Sequence, residues 1–348
     1  MTFYIEKDIE NITKNLDDDF KNNLAGKTVL VIGSEGFLGK YFIKSLINFN
    51  DNNKNQLVNI IGLDNLRTSK KDNNDVTKYE FIEHDVTSPL SLSQKPEFII
   101  FAAGIASPYY YRKYPLETLD TTVKGLRYFL DYASVHNSKL LYFSSSEIYG
   151  NPDINNIPTK ESYKGHVSCV GPRACYDESK RLGETLLKIY SEEKNVHGVT
   201  VRPFNVFGPG MSPYDYRIVP NFFSQALNNK PISIYGNGEQ TRTFCYISDA
   251  IEGFFKALFY GRKGEPYNIG NPDQEISIKD FSTLFSKVTD DLTNNFIITD
   301  YPDSYPADEP LRRCPDITKA REHFEFYPKI SLENGLQNFY NWCKPYYS

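Results

Sequence analysis

The sequence predicts an α/β fold in which helices cover both faces of a doubly wound parallel sheet. Short runs rich in Val, Ile and Leu alternate with segments whose apolar residues recur at helical spacing, and this alternation is typical of βαβ units. The first run, Lys27–Ile32, is continuous and β-branched, as expected of a strand that is buried on both faces. A chain of 348 residues is also long enough for one large α/β domain and a smaller lobe.

The expected elements follow one another along the chain. A helix around Glu6–Asn15 lies in an acidic N-terminal extension, residues 1–26, which we expect to pack on the body of the protein or on a partner subunit. A helix from Phe37 to about Asn48 follows the first strand. The further strands are expected at Asn59–Leu63, Tyr79–Ile82, Glu97–Phe101, Lys139–Phe143 and Gly198–Val201. Apolar stripes at helical spacing comprise Leu116, Leu119, Val123, Leu126, Leu130 and Ala133, and then Leu182, Leu186 and Ile189.

The pattern changes after Arg202, where the periodicity weakens and proline becomes common. The sequence therefore predicts a smaller C-terminal α/β lobe. We expect a nucleotide-binding sheet domain over residues 27–203 and a substrate lobe over residues 204–348. The segment around residues 243–262 is expected to return to the first domain.

Composition excludes several classes of function. The net charge of −5 provides no basic surface for nucleic acid. The five cysteines show neither a C-x-x-C pair nor metal-ligand spacing, so we expect reduced thiols, no metal site and a cytoplasmic location. No apolar run is long enough for a transmembrane helix, and the charged N-terminal residues lack the apolar core of a signal peptide.

A glycine-rich turn follows the first strand and opens the first helix. Gly33, Gly36 and Gly39 have G-x-x-G-x-x-G spacing, which permits a tight turn and close approach of a pyrophosphate to the helix N-terminus at Phe37 and Leu38. A carboxylate at the end of the second strand, that of Asp64, would bind the adenosine ribose and repel the extra phosphate of NADP, so the expected cofactor is NAD. The other residues expected around the cofactor are Asn65, Asp85, Val86, Ala102, Ala103, Tyr176 and Lys180.

Tyr176 and Lys180 are four residues apart in a segment that is expected to open a helix, so their side chains would share one face. An ammonium beside a phenol favours the phenolate, and we therefore expect Lys180 to lower the pKa of Tyr176. Such a tyrosine could take a proton from a sugar hydroxyl. Together with Ser144-Ser145-Ser146-Glu147 upstream, the pair indicates the active site of a nucleotide-sugar enzyme.

The most specific motifs extend over nearly the whole chain from Lys27 to Trp342. They are Glu83-His84-Asp85-Val86, Ala106-Ser107-Pro108, Ser145–Gly150, Gly165-His166-Val167, Gly171–Glu178, Phe204–Pro209, Tyr235–Arg242 and Arg312–Asp316. With the glycine turn, they resemble the extended short-chain dehydrogenase/reductase superfamily of NAD-dependent epimerases and dehydratases. Within it, the chain is most similar to the UDP-glucuronic acid decarboxylases, and this resemblance implies a Rossmann sheet domain.

The resemblance also implies a chemistry. UDP-glucuronate would be oxidised at the sugar C4, decarboxylated and released as UDP-xylose, with NAD recycled. Tyr176 would act as the base, Ser145 would bind the same oxygen, and Lys180 would hold the phenolate and the nicotinamide ribose. By resemblance, Glu147 is an acid/base or water-orienting group, Ser146 positions the substrate carboxylate, and Arg313 binds the carboxylate or the diphosphate. The residues implied for the nucleotide-sugar pocket are Asn205, Arg217, Tyr235, Gln240, Arg242 and Arg313.

Three positions depart from the family pattern. Ser145 replaces a threonine and keeps its hydroxyl, and Gly210 follows Phe-Gly-Pro where arginine is usual. Glu35 would add a negative charge near the pyrophosphate unless its side chain points to solvent. The sequence does not decide whether Arg312 or Arg313 faces the substrate.

Three other functions remain open from the residues. A 4,6-dehydratase or a 4-epimerase would use the same Tyr-Lys pair, and a non-catalytic NAD-binding scaffold is a more remote alternative. The intact set of Ser145, Tyr176 and Lys180 argues against a scaffold. The resemblance further implies a homodimer in which the two helices flanking the active site form a four-helix bundle.

Overall fold

The computed structural model of the protein describes residues 3–54, 56–72, 75, 77–290, 292, 295–300 and 310–347. The α-helices are α1 (Phe3–Asn15), α2 (Asp18–Leu24), α3 (Phe37–Asn52), α4 (Pro108–Lys113), α5 (Pro115–Asp120), α6 (Arg127–His136), α7 (Ala174–Glu193), α8 (Ile218–Leu227), α9 (Ile247–Tyr260), α10 (Ile278–Val288), α11 (Thr318–Phe324) and α12 (Leu332–Tyr347). A π-helical segment, Thr121–Leu126, joins α5 to α6, and 3₁₀ turns lie at Ser146–Tyr149 and Ile154–Asn156.

The strands are β1 (Thr28–Ile32), β2 (Asn59–Asp64), β3 (Glu80–Glu83), β4 (Phe98–Phe101), β5 (Lys139–Phe143), β6 (Gly198–Pro203), β7 (Val206–Phe207), β8 (Ile232–Tyr235), β9 (Thr241–Arg242), β10 (Cys245–Tyr246), β11 (Pro266–Ile269), β12 (Ile276–Ser277), β13 (Phe296–Thr299) and β14 (Arg312–Arg313). The predicted strands of the first domain all form, with boundaries shifted by a few residues. One further strand of the main sheet, β11, was not expected from the sequence.

Seven parallel strands form the main sheet in the order β11-β6-β5-β4-β1-β2-β3. The sheet grows in both directions from β1, where Ile32 pairs with Leu63 of β2 and with Phe101 of β4. The carboxyl ends of β1 and β4 therefore diverge into helices on opposite faces, and this is where doubly wound sheets bind their ligands. The predicted doubly wound α/β fold is confirmed.

The alternation of side chains along β1 explains its unbroken apolar sequence. Val29 and Val31 pack into a core cluster that contains residues of α3 and α9. Leu30 and Ile32 pack into a second cluster with residues of α6 and α7. Since both faces of the strand are covered by helices, every residue of β1 must be apolar or bonded within the sheet.

The N-terminal extension packs on the body of the protein, which is one of the two expected outcomes. Helix α1 lies against α3 and α9, and the Phe20 ring of α2 lies 4.2 Å from that of Phe259 between centroids. Asp8 lies on the buried side of α1 and accepts a hydrogen bond from Tyr246 at 2.9 Å. The extension thus contacts β10, which lies outside the main sheet.

The chain leaves the main sheet after Pro203 and returns to it through α9 and β11. Outside this sheet, β8 pairs with β13, β7 pairs with β10, and β12, β9 and β14 form a small three-stranded sheet.

Among the residues that the structure describes, no helix combines the length and apolar composition needed to span a bilayer.

Candidate active site

A cavity of about 290 Å³ lies at the carboxyl edge of the main sheet, between the sheet and the second lobe. The sequence-predicted residues that line it are Phe37, Leu38, Ala102, Ser145, Ser146, Glu147, Tyr176, Lys180, Asn205, Arg217, Tyr235, Gln240, Arg242 and Arg313. Those that do not line it are Gly33, Gly36, Gly39, Asp64, Asn65, Asp85, Val86 and Ala103. The structure therefore brings all the residues predicted to be catalytic or substrate-binding to one cavity, together with part of the predicted cofactor set.

The glycine turn has room only for glycine at its critical positions. Gly33 has φ of +83°, and a Cβ there would lie 2.8 Å from the backbone nitrogen of Ala103. A Cβ at Gly39 would overlap the Gly33 carbonyl oxygen. Gly36 precedes α3 as its N-cap residue and makes no side-chain cap, so no capping side chain satisfies the backbone N–H groups of the first turn. This close-packed cradle at a helix N-terminus fits the pyrophosphate of a dinucleotide.

The end of β2 presents a buried carboxylate. Asp64 accepts hydrogen bonds from the backbone N–H groups of Glu35 at 3.0 Å and Leu66 at 2.8 Å. Asn65 donates to Asp85 at 2.9 Å. Three of the predicted cofactor residues thus lie beside the glycine turn, namely Asp64, which bonds to its backbone, and the hydrogen-bonded pair Asn65 and Asp85. An acidic group at this place fits a ribose with free hydroxyls better than a phosphorylated one.

Glu35 points neither to solvent nor into the main cavity. Its carboxylate is buried, accepting hydrogen bonds from the Tyr79 hydroxyl at 2.8 Å and the Asp72 backbone N–H at 2.7 Å. Lys40 lies 3.6 Å away. The charge that departs from the family pattern therefore anchors the segment after β2, and neither of the two placements considered from the sequence, beside the pyrophosphate or in solvent, is the one observed.

Helix α7 places Tyr176 and Lys180 on one face, as their spacing predicts. The Tyr176 hydroxyl is hydrogen-bonded to the side chain of Ser145, which follows β5. Its ring stacks on that of Tyr111 with centroids 5.3 Å apart and planes 15° apart. The Lys180 Nζ atom donates to the Phe143 carbonyl oxygen at 2.8 Å. These contacts fix the phenol and the ammonium at the same end of the cavity.

The pKa values of the Tyr176 phenol and the Lys180 ammonium are both shifted mainly by burial. Burial raises the pKa of Tyr176 to about 12, against the opposing effect of the Ser145 hydrogen bond. Burial likewise lowers the pKa of Lys180 to about 8. The expectation that Lys180 lowers the pKa of Tyr176 is therefore wrong for this structure. The physical reason is that Nζ is directed at a backbone carbonyl and lies 5.6 Å from the centre of the Tyr176 ring.

Strand β14 settles which arginine faces the cavity. The Arg313 fork binds both oxygens of Glu147, at 2.6 and 2.9 Å, and the side chain is only 7% exposed. Arg312 points the other way, is 36% exposed and pairs with Glu275 at 2.5 Å. The register of β14 with β9 places Arg313 beside Arg242, so two guanidinium groups belong to the same wall.

Two charged residues at the start of α7 were missed as site residues. Arg173 lines the cavity and forms an ion pair with Glu147. Asp177 lies 3.4 Å from Arg173 Nε, and burial raises the pKa of its carboxyl to about 6. In the sequence they show the i, i+4 spacing of opposite charges beside Tyr176, and both lie within the Gly171–Glu178 motif. Tyr111 was also missed, although it lies in a run of three tyrosines after the Ala-Ser-Pro motif.

The second lobe provides polar side chains that are held by the backbone. Asn205 donates to the Thr243 carbonyl oxygen at 2.7 Å, and Gln240 donates to that of Tyr235 at 2.9 Å. Arg242 is buried and donates to the carbonyl oxygen of its neighbour Thr241 at 2.7 Å. These bonds orient the side chains before any ligand binds, which lowers the entropy cost of binding.

The two walls of the cavity also meet at its mouth. Tyr216 of the second lobe stacks on Tyr109 of α4, with ring centroids 5.7 Å apart and planes 27° apart. Next to it, Arg217 forms an ion pair with Asp215 at 2.5 Å and has a half-exposed side chain. Arg217 is therefore the most accessible of the three cavity arginines that the sequence predicts to bind substrate.

Comparisons with known proteins agree with this geometry. The family model described as the NAD dependent epimerase/dehydratase family matches residues 29–270. UDP-glucuronic acid decarboxylase 6 of Arabidopsis thaliana is 36% identical over 91% of this chain and 88% of its own. UDP-glucuronic acid decarboxylase 1 of Xenopus tropicalis is 37% identical over 89% of this chain and 70% of its own.

Solved structures show the same fold at lower identity. UDP-glucose 4-epimerase of Thermotoga maritima has a TM-score of 0.79 and 23% identity, with 91% of this chain and 99% of that one covered. UDP-glucuronic acid 4-epimerase of Bacillus cereus, solved with UDP-glucuronic acid and NAD, has a TM-score of 0.75 and 24% identity, with the same coverage. The resemblance inferred from the motifs is confirmed, and the chain belongs to the NAD dependent epimerase/dehydratase family.

Proposed function

We propose that this protein converts UDP-glucuronate to UDP-xylose and carbon dioxide by way of a 4-keto sugar, with NAD recycled. The observation that carries the proposal is the meeting of two groups in one cavity: Tyr176 with its Ser145 hydrogen bond, and the Glu147–Arg313 pair. The first group suits oxidation of a sugar hydroxyl, and the second suits a substrate that carries a carboxylate. The names of the two decarboxylases that are 36% and 37% identical to this chain support the same reaction.

The glycine turn and the acidic group around Asp64 would hold NAD, with Phe37, Leu38 and Ala102 at the cavity side. When bound, NAD supplies the hydride acceptor and a positive charge that favours the Tyr176 phenolate. Tyr176 accepts the proton of the 4-hydroxyl, and Ser145 holds the same oxygen. Lys180, which is oriented by its bond to the Phe143 carbonyl oxygen, would hold the phenolate and the nicotinamide ribose.

A 4-keto sugar with a carboxylate on C5 is a β-keto acid, so the bond from C5 to the carboxylate carbon breaks readily. The electron pair moves to the C4 oxygen, where Tyr176 can donate its proton to the developing enolate. Ser146 and Arg313 hold the carboxylate until it leaves as carbon dioxide. Glu147 then orients a water molecule through which a solvent proton reaches C5, while the enol returns its O–H proton to Tyr176 and the C4 ketone re-forms. When the hydride returns to C4, Tyr176 donates that proton to the C4 oxygen, which gives the pentose. Arg242 and Arg217 would bind the diphosphate, because a guanidinium fork matches phosphate oxygens. Asn205, Tyr235 and Gln240 would complete the nucleotide pocket.

The test is to incubate the purified protein with NAD and UDP-glucuronate and to follow the products by NMR. A UDP-pentose is expected from the wild type and none from Tyr176→Phe. Absence of a pentose from the wild type overturns the proposal. A 4-keto-6-deoxy sugar formed from a UDP-, CDP- or GDP-hexose would instead identify a dehydratase, and a C4 epimer would identify an epimerase.

The wider organisation is part of the same proposal. Residues 27–203 would bind NAD and residues 204–348 the nucleotide sugar, with the extension 1–26 packed on the first domain and the segment around 243–262 returning to it.

A homodimer through α5–α6 and α7 is supported by exposed apolar side chains on these helices, namely Leu116, Val123, Val135, Leu182 and Ile189. A cytoplasmic location is supported by five free thiols.

A further inference from the structure

We propose that Arg173 is a positioning residue that keeps Glu147 in place while Arg313 engages the substrate, and that Asp177 orients Arg173 for this task. The proposal deepens the proposed function and rests on it, since it assigns the support of the acid/base group at the same site. It concerns Arg173, which directly precedes α7, and Asp177 on α7, neither of which was predicted as a site residue from the sequence.

The Glu147 carboxylate lies between two guanidinium groups from different parts of the fold. Arg313 reaches it from β14 and binds both of its oxygens. Arg173 reaches it from the N-terminal boundary of α7 and bonds to Oε2, the oxygen that also accepts from Arg313 Nη2 at 2.9 Å. One guanidinium fork is enough to pair a carboxylate. The second guanidinium, that of Arg173, therefore needs an explanation other than neutralising the charge of Glu147.

The explanation follows from what Arg313 would have to do. A guanidinium fork binds one carboxylate in bidentate fashion, and the Arg313 fork is taken by Glu147. When a substrate carboxylate or diphosphate oxygen approaches, Arg313 must give up part of this pairing. Glu147 would then be a largely buried anion without a fixed position. Arg173 removes this difficulty because it keeps a charged bond to Glu147 that does not involve Arg313.

Asp177 completes the arrangement from the same helix. It follows Tyr176 directly and lies one turn from Arg173, with its Oδ2 atom 3.4 Å from Nε. Its other oxygen, Oδ1, is buried and has no hydrogen bond among the described residues. A buried carboxylate that is only partly satisfied is costly for a purely structural role. The bond to Asp177 orients the Arg173 guanidinium, and Asp177 belongs to the same turn of α7 as Tyr176. Because Arg173 also bonds to Glu147, this contact fixes the position of Glu147 relative to Tyr176.

The test is a double-mutant cycle with Arg173→Gln, Glu147→Gln and the double variant, measured on the nucleotide sugar that the wild type converts. We expect each single variant to lower kcat by about 100-fold with KM nearly unchanged, since misplacing a reacting group by about 1 Å has an effect of this size. The double variant should be no slower than the slower single variant, because both changes remove the same function. Arg173→Lys should recover part of kcat, since a lysine can keep one bond to Glu147.

Arg181→Gln is the matched control, because Arg181 lies on the same helix and pairs with Glu178 near the surface. It should leave kcat and KM unchanged. NAD binding and thermal unfolding, measured for every variant, show that the fold is retained. Additive losses in the cycle, a change confined to KM, or an equal loss in Arg181→Gln would overturn the positioning role.

A structural readout separates this proposal from the proposed function. In the Tyr176→Phe background, crystals with UDP-glucuronate would show Glu147 in its present position when Arg173 is intact and displaced in Arg173→Gln. An undisplaced Glu147 would overturn the positioning role even if the enzyme makes UDP-xylose. Absence of a pentose product would overturn the proposed function and leave the result of the cycle, read on another sugar, to decide the role of Arg173.

Discussion

The Asp8 carboxylate accepts a hydrogen bond from Tyr246 at 2.9 Å across 238 residues of sequence. The Tyr41 hydroxyl lies 3.3 Å from the same oxygen and 3.0 Å from the Pro209 carbonyl oxygen. A single buried acid therefore joins the N-terminal helix, helix α3 and the chain that enters the second lobe.

This acid should make stability depend on pH in a particular direction. Burial raises the pKa of Asp8 from its ordinary value near 3.8 to about 7. Between these values the folded protein holds a proton that the unfolded chain has lost, so the free energy of unfolding falls as the pH rises. A shift of this size corresponds to a decrease of at most about 4 kcal/mol. Asp8→Asn should lack this decrease.

The measurement is urea unfolding of wild type and Asp8→Asn at pH 4.5 and pH 7.5. Asp18→Asn is the control, because the Asp18 side chain is 96% exposed. If the wild type and Asp8→Asn lose the same free energy between the two pH values, Asp8 does not titrate as described.

Tyr176→Phe should lower turnover by about 10²–10⁴-fold, the usual contribution of a general acid/base. Binding of NAD should be retained, since the ring remains and can still stack on Tyr111. Steady-state rates and NAD titration by fluorescence check both statements. Tyr327→Phe, a change at an exposed tyrosine, is the control. Substantial turnover by Tyr176→Phe would exclude its phenol as the base.

The glycine turn allows a graded test of the NAD site. A Cβ at Gly36 would lie 3.2 Å from the Gly33 carbonyl oxygen, whereas one at Gly39 would overlap that atom. Gly36→Ala should therefore weaken NAD binding only slightly, and Gly39→Ala should abolish it or lower the free energy of unfolding by about 1–3 kcal/mol. Calorimetric titration with NAD and thermal unfolding distinguish the two effects. Equal NAD affinity in both variants would contradict the placement of the cofactor at this turn.

Glu35→Ala should destabilise the protein by about 2–4 kcal/mol, because the Tyr79 hydroxyl and the Asp72 N–H would lose their acceptor. Glu35→Gln should have an intermediate effect, since one amide oxygen remains to accept. Chemical denaturation measures these differences. Glu80→Ala, at an exposed position on β3, should change the free energy of unfolding by less than about 0.5 kcal/mol. A neutral Glu35→Ala would mean that the buried carboxylate does not stabilise the segment after β2.

The oligomeric state provides a further test. If α5–α6 and α7 form the dimer interface, Val123→Asp combined with Leu182→Asp should produce a monomer, because burying two added charges is costly. Size-exclusion chromatography with light scattering measures the mass. Ile154→Asp, at an exposed apolar residue away from these helices, should leave the dimer intact. A monomeric wild type would contradict the proposed interface.

The strands and the glycine turn could be predicted because each depends on a local pattern. The run Val29–Ile32 is apolar throughout because both of its faces are covered, and the spacing of Tyr176 and Lys180 fixes a shared helix face. Hydrogen bonds between residues that are far apart in the chain leave no local pattern in the sequence. The partners of Glu35 lie 37 and 44 residues away, and Tyr246, which donates to Asp8, lies 238 residues away.

The register of strand pairs and the direction of individual side chains also could not be predicted from the local sequence. Two adjacent residues of a strand face opposite sides, so one of Arg312 and Arg313 had to face inward, but the choice depends on how β14 pairs with β9. The direction of Lys180 Nζ depends on the Phe143 carbonyl oxygen in β5, and for this reason the pKa of Tyr176 could not be inferred from spacing. Arg173 and Asp177 were missed because a charged pair at a helix start is usually a solvent-exposed pair.

The packing of the N-terminal extension has a practical consequence for producing the protein. Ile9, Ile12, Leu16, Phe20 and Leu24 are buried, and all lie before residue 29, where the family match begins. A chain trimmed to the family match would uncover the apolar faces of α3 and α9 and leave Tyr246 without its Asp8 acceptor. Such a shortened protein is expected to aggregate, so expression should begin at the first residue and purification tags should be fused at the other end.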